Sequence, residues 1–181
     1  MKRVMIIGQP GSGKSWLARE MGRITGLPVH HMDHIHWRSG WVERDPEEKT
    51  AMARAVHAQE QWIFEGGHSR TWDDRVARAD TCIWLDFPLW FRSWQVFRRT
   101  LQHYGRTRPD LPEGCPEQFS WEFYKWIWDT RNTGRNKPTA IFKAAPPHLT
   151  LVRLTSRRAV SDYTGRLEAG LPAAAPLDQL T

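Results

Sequence analysis

Apolar and polar positions along this chain alternate between two textures. Short β-branched or aromatic runs stand at residues 4–7 (VMII), 62–65 (WIFE), 81–86 (TCIWLD) and 149–154 (LTLVRL), and residues 29–32 (VHHM) join the series as a further strand. Between these runs apolar residues recur every three or four positions, the spacing of a helix face. Trp16, Leu17, Met21 and Ile24 share one side of a helix over 14–24, which Gly26 and Pro28 would end. Asp45, Pro46 and Glu48 read as N-cap, first helical position and capping-box partner of a helix reaching about residue 59. Further helices are predicted near 71–78, after Pro88 with a Trp90, Trp94, Phe97 and Leu101 stripe, over 117–131, and from Ser156 to 167. Residues 103–117 carry Gly105, Pro109, Pro112, Gly114 and Pro116 and read as a loop.

Strand and helix in alternation predict the α/β class: a three-layer sandwich with a five-stranded parallel sheet between helices. No repeat or linker divides the chain. One domain over 1–167 is expected, with a small lid at about 103–117 and a flexible tail over 168–181.

Composition adds few constraints. The 181 residues are 40% apolar and 25% charged, ordinary for a globular protein able to bury a core. Cys82 and Cys115 make neither a disulfide framework nor a paired metal motif, which suits a reducing cytosol. The N-terminal apolar run stops at Gly8, too short for a signal peptide or a membrane span, so a cytoplasmic location is expected. The net charge of +6 favours an anionic partner: a nucleotide, a phosphorylated metabolite or nucleic acid. Most of the eleven tryptophans read as core.

The chemistry begins at residues 8–15, GQPGSGKS, which match G-x-x-x-x-G-K-[ST] between a predicted strand and a predicted helix. Gly8, Pro10, Gly11, Ser12 and Gly13 let the backbone wrap an anion with converging N–H groups, and the helix adds its positive end. Lys14 offers a point charge to the outer phosphates, and Ser15 a hydroxyl to Mg²⁺. The motif predicts ATP and Mg²⁺ as ligands. NKPT at 136–139 lacks the aspartate of a guanine-reading motif and follows no strand, which argues against a GTPase, and a AAA-type motor needs a longer chain. A small P-loop kinase fits. It needs a metal-shell carboxylate, an acceptor pocket and a basic lid that excludes water. Glu65 and Asp86 both end strands and compete for the first role; Gly66 and Gly67 leave ligand room beside Glu65. Arg92, Arg98, Arg99, Arg106 and Arg108 occupy 91–108 without an acidic residue between them, a candidate phosphate grip. A solvated basic face or a nucleic-acid contact would produce the same run.

These segments together resemble a known group. GQPGSGKSWLAREMG, HHMDHIHWRSGW, WIFEGGHS, WLDFPLW and GRTRPDLPEGCPE followed by FYKWIWD are similar to the adenylate-kinase-related P-loop proteins, in the branch labelled DNA topology modulation or FlaR-like. The resemblance spans about residues 1–165. It implies a nucleoside-monophosphate-kinase-like fold, ATP and Mg²⁺ as ligands, and an arginine-bearing lid. It puts residues 11–16, Trp16 included, on the ATP phosphates, Asp33 in the acceptor pocket, and Arg98 and Arg99 at the base of the lid. Related strands usually end in Asp-Gly where this chain has Glu65-Gly66, and a following arginine that holds an acceptor phosphate has its nearest counterpart in Arg70.

The densest polar stretch is HHMDHIHW at 30–37. Zinc would need three or four ligands on a fixed frame; His34, His36 and His31 could supply some, and no recognisable motif elsewhere completes the set. Asp33 would sit at the end of the second strand, facing the transferred phosphate, where it could orient a hydroxyl or take its proton. Trp37 and Trp41 could wall an acceptor ring. The expectation is a phosphotransferase acting on an unidentified small acceptor, with Lys14, Asp33, Arg98, Arg99 and Arg106 as catalytic candidates. Asp33, Trp37, Glu65, Gly66, Gly67 and Arg70 are the acceptor-side candidates, and Ser15 and Glu65 the metal ligands. A nucleic-acid-associated ATP switch or a weak ATPase stands as the alternative.

Overall fold

The computed structural model describes residues 1–172. The chain runs through β1 (Arg3–Gly8), α1 (Lys14–Thr25), β2 (Val29–His31), α2 (Met32–His36), β3 (Trp37–Arg38), β4 (Val42–Glu43), α3 (Pro46–His57), β5 (Trp62–Glu65), α4 (Trp72–Arg78), β6 (Thr81–Leu85), α5 (Leu89–His103), α6 (Trp121–Asp129), α7 (Asn136–Lys143), β7 (Thr150–Leu154) and α8 (Arg157–Glu168). Five strands form one parallel sheet in the order β2-β5-β1-β6-β7, and β3 and β4 form a separate antiparallel hairpin.

Alternation along β1 divides the core into two layers. Val4 and Ile6 pack with Leu17, Ala18 and Met21 of α1 and Tyr163 of α8. Met5 and Ile7 face the other way, onto Phe64, Trp84, Met32 and Ala53. The chain passes from β1 out to β2 on one side and later crosses from β5 to β6 on the other, so the loop after β1 lies at the switch point where open α/β sheets hold ligands.

Local chemistry sets the helix ends. Gly26 ends α1 in the left-handed region at φ 72°, as its position predicts. The Asp45 side chain accepts from the Glu47 and Glu48 amides, with Pro46 opening α3, and Ser156 accepts from Ala159 to cap α8. The helix predicted over 117–131 is shorter: Ser120 caps it by accepting from Phe123. The α2 turn, the β3–β4 hairpin and α7 carry no strong periodicity and were not predicted. The tail expected at the C-terminus lies, from residue 173 on, outside the described residues.

One expectation is overturned by the packing. Trp90, Trp94, Phe97 and Leu101 do not face the core but solvent, as do Trp121, Trp126 and Trp128 of α6. The face that α5 turns inward instead carries Arg92, Val96 and Thr100. A 3.6-residue stripe establishes that a helix has an apolar side; it does not say what that side meets. No helix among the described residues is long and apolar enough to cross a membrane.

This division of tryptophan and leucine between core and surface has a measurable consequence. Leu17→Ala, at a site with no exposure, is expected to lower unfolding free energy by about 2–5 kcal/mol. Trp121→Ala, at a largely exposed site, is expected to change it by less than about 0.5 kcal/mol. Urea unfolding midpoints check both.

Candidate active site

The turn after β1 has a backbone that only glycine tolerates. Gly11 sits at φ 75°, and a Cβ there would lie 2.3 Å from the Arg92 carbonyl oxygen. The loop is thus pressed against α5. Arg92 is a strut in this contact, donating from Nε to the Phe87 carbonyl and from Nη1 to the Pro10 carbonyl. Gly8, Ser12 and Gly13 complete the curve, and the Ser12 hydroxyl oxygen is buried without a partner. Lys14 Nζ lies 3.2 Å from the Gln9 carbonyl. Burial lowers the Lys14 pKa from the usual lysine range, and the nearby Glu65 and Asp33 charges oppose that shift. Trp16, on the first turn of α1, is exposed.

Glu65 ends β5 at 3% exposure. Its Oε1 accepts from Ser15 Oγ at 2.9 Å and lies 2.8 Å from His31 Nδ1. Burial works against the charged form, but the His31 contact, the Lys14 charge and the Ser15 hydroxyl outweigh it and hold the carboxyl below its ordinary pKa. Asp86, the competing carboxylate, is held elsewhere: Arg153 meets it at 2.6 Å and Arg135 at 2.8 Å. Glu65 is therefore the strand-end carboxylate in contact with Ser15.

Strand β2 ends at His31, so Asp33 lies on the first turn of α2 rather than on the strand. It is in the same electrostatic neighbourhood as Lys14 and Glu65. Burial, then the Glu65 charge, raises its pKa, and Lys14 and Arg108 only partly offset this. The four histidines around it diverge. His30 stacks on Phe64, His31 meets Glu65, His34 Nε2 lies 3.1 Å from the Pro109 carbonyl, and His36 packs edge-on against Trp37. Among the described residues no three His, Cys, Asp or Glu side chains gather to hold a metal ion by themselves. His31 and His34 instead border a cleft of about 510 Å³ with Ile35, Met52 and Pro109. Trp37 and Trp41 meet edge to face at 5.4 Å on the hairpin beside α2.

The arginines separate. Arg99 is on the inward side of α5, where its charge reaches Lys14, and it contacts Glu117 at 3.0 Å. Arg98 and Arg106 are exposed. Arg108 is buried between Glu117, at 2.7 Å, and Asp110, which also meets Arg19 at 3.1 Å. Asp110 and Glu117 lie just beyond the all-basic 91–108 run and neutralise part of it, which a count within that window misses. Through these ion pairs, and through Trp41 Nε1 donating to the Pro116 carbonyl, the 104–117 segment rests on α1 and the hairpin. Arg70 is not brought to the cluster. It is exposed and lines a different cleft of about 360 Å³ with Glu47, Thr50 and Arg54.

The Gly66-Gly67 turn is held from below by Arg75, which the sequence did not single out. Arg75 is fully buried and donates to the Gly66 carbonyl at 3.0 Å and the Gly67 carbonyl at 3.3 Å. Its charge lies 4.0 Å over the Phe64 ring.

No family model matches the chain. A cytidylate kinase of Pyrobaculum aerophilum is 32% identical over 53% of this chain and 59% of its own length, so the chain matches about three-fifths of that relative. Among solved structures, a shikimate kinase from Acinetobacter baumannii in complex with shikimate superposes with a TM-score of 0.60 at 10% identity, covering 92% of this chain and 90% of that one. A gluconokinase from Sinorhizobium meliloti 1021 gives 0.56 at 14% identity, covering 93% and 90%. A shikimate kinase from Bacteroides thetaiotaomicron gives 0.53 at 15%, covering 93% and 96%. The chain thus has the α/β fold of the small P-loop kinases.

A buried carboxyl whose pKa is raised costs stability whenever it is ionised: its contribution is full below the unfolded pKa and is lost as pH rises through the folded one. Asp33→Asn is therefore expected to raise the melting temperature at pH 7. The gain should shrink as pH falls toward the ordinary aspartate range. Melting curves at several pH values decide it.

Proposed function

We propose that the protein is a kinase that moves the γ-phosphoryl group of ATP, with Mg²⁺, to a hydroxyl of a small acceptor. The observation that carries this is the meeting of Lys14, Ser15 and Glu65 with a half-buried Asp33 of raised pKa at one end of the sheet. An ATP-binding switch has use for the first three; Asp33 adds a group suited to the acceptor.

The residues fit these ligands. The unpartnered Ser12 hydroxyl and Lys14, turned onto a backbone carbonyl, are what a phosphate-binding loop offers an incoming anion. Ser15 and Glu65 are adjoining oxygen donors of the kind Mg²⁺ takes, and the longer glutamate occupies the place where related strands end in aspartate. When bound, Mg²⁺ would neutralise charge on the phosphate oxygens. Lys14 and Arg99 add fixed positive charge around the transferred group, and Asp33 orients the attacking hydroxyl or accepts its proton. Trp37, Gly66 and Gly67 frame the acceptor side. Segment 103–117 serves as the lid over a domain spanning residues 1–167, with Arg106 on it. Arg99, on the side of α5 facing Lys14, is better placed at its base than the exposed Arg98.

Among acceptors, the partial likeness to a cytidylate kinase supports trying a nucleotide first. A second proposal follows the DNA topology modulation resemblance: an ATP-dependent, nucleic-acid-associated regulator, favoured by the net charge of +6. Against it, Arg75, Arg92, Arg108 and Arg153 are engaged in internal contacts.

Lys14→Ala is expected to lose transfer by at least about 100-fold with the far-UV spectrum unchanged. Asp33→Asn should lose about 10²–10⁴-fold while ATP binding persists in calorimetry. The assay is a panel of acceptors, led by CMP, scored by labelled product. A panel left entirely unlabelled, together with salt-sensitive retention of duplex DNA, would move the assignment to the regulator.

A further inference from the structure

Helix α5 turns four large side chains to solvent: Trp90 at 72% exposure, Trp94 at 57%, Phe97 at 39% and Leu101 at 64%; Tyr104, directly after the helix, is exposed too. Within the helix their spacing is four, three and four residues. That is the heptad seam of a helix that packs against another helix, not the broader stripe that covers a sheet. No charged residue interrupts it. An exposed apolar patch of this size is often a functional surface.

We infer that this face of α5 is a homodimer interface, in which a second copy of the chain lays its own α5 antiparallel across the first. The four seam residues hold on the order of 450 Å² of exposed surface, taking about 150–250 Å² for a whole aromatic side chain. Two copies would then remove on the order of 900 Å² from water, the size of a weak, reversible interface.

Charge selects the direction. In a parallel pair, Arg98 at the edge of the seam would stand level with the Arg98 of the second copy. In an antiparallel pair centred between Trp94 and Phe97, Trp94 of each copy meets Phe97 of the other, and Trp90 meets Leu101. Arg98 then falls beside Ser93, and no like charges oppose one another. The same residues that a closed two-fold requires to be self-complementary are complementary in this register.

The pairing leaves the proposed phosphate site open. Arg92 and Val96 on the inward face of α5 pack on the loop after β1, while the seam looks the opposite way. A dimer formed through this seam is therefore independent of whether the protein transfers phosphate.

Sedimentation velocity from about 1 to 100 μM tests the interface on the full chain. The wild type is expected to be a dimer. Trp94→Glu places a charge at the centre of the seam and is expected to weaken dimerisation by at least about 30-fold, with ATP affinity and far-UV spectrum unchanged. Leu101→Glu, nearer the end of the helix, should do the same and serves if the first variant misfolds. A wild type that stays monomeric at 100 μM overturns the inference, as does a dimer indifferent to both substitutions. A monomer that binds duplex DNA or anionic vesicles, and loses that binding with Trp94→Glu, also overturns it by assigning the face to that partner.

Discussion

The carboxyl edge of the sheet is organised around a charge that the protein has to keep buried. Glu65 carries it, and a carboxylate in that position persists only if its oxygens are satisfied. One oxygen is shared by Ser15, at the start of the helix after β1, and His31, at the end of β2. A single acceptor thus ties together the outlets of three neighbouring strands, β2, β5 and β1. The loop that holds Lys14 and the turn that holds Asp33 are fixed relative to each other because both adjoin groups bound to the same carboxylate.

Asp33 marks the contrast. It is half-buried where Glu65 is buried, makes no side-chain hydrogen bond among the described residues, and its pKa moves in the opposite direction. Two neighbouring carboxyls pushed apart in this way become one group that stays charged and one that takes a proton more readily. The order of the two comes from partners rather than residue type. The chain offers two acidic side chains, and His31 together with Ser15 selects which is stabilised as an anion.

The sheet was legible because each strand is a short apolar run closed by a turn residue, and alternation with helices leaves few ways to arrange five such strands. Caps at Asp45, Gly26 and Ser156 were legible because they depend on one side chain and the backbone beside it. Within the site, residues 8–15 were legible because backbone geometry dictates their composition, and Asp33 and Glu65 because each lies at or just past a predicted strand end. Gly66 and Gly67 favoured Glu65 over Asp86 from the sequence; what it did not show is why Asp86 is otherwise engaged, since Arg135 and Arg153 close on it from the far end of the sequence. Pairing of Arg108 with Asp110 and Glu117 was hidden for a similar reason, because a run of basic residues does not reveal what folds back against it. The outward face of α5 was misread as core because a helical stripe carries no label for its partner.

Arg75 shows how far from the cluster its geometry is set. It is a guanidinium without exposure, pushed by burial down to about 9 and so still charged at neutral pH. Two of its donors hold the carbonyls of Gly66 and Gly67, the residues directly after Glu65, and its Nε donates to His57 Nε2 at 3.1 Å. His57 can accept that bond only if it is neutral. Burial, and then the Arg75 charge itself, push it down to about 4, while Asp74 receives the other ring nitrogen at 2.8 Å and fixes the tautomer. Asp74, His57 and Arg75 therefore form a chain of defined donors and acceptors that ends on the backbone carrying Glu65. Because His57 stays neutral down to about pH 4, that chain holds its directions throughout the range in which Glu65 must keep its charge. The same burial that makes an unpaired carboxyl at Asp33 costly is what makes this support insensitive to pH.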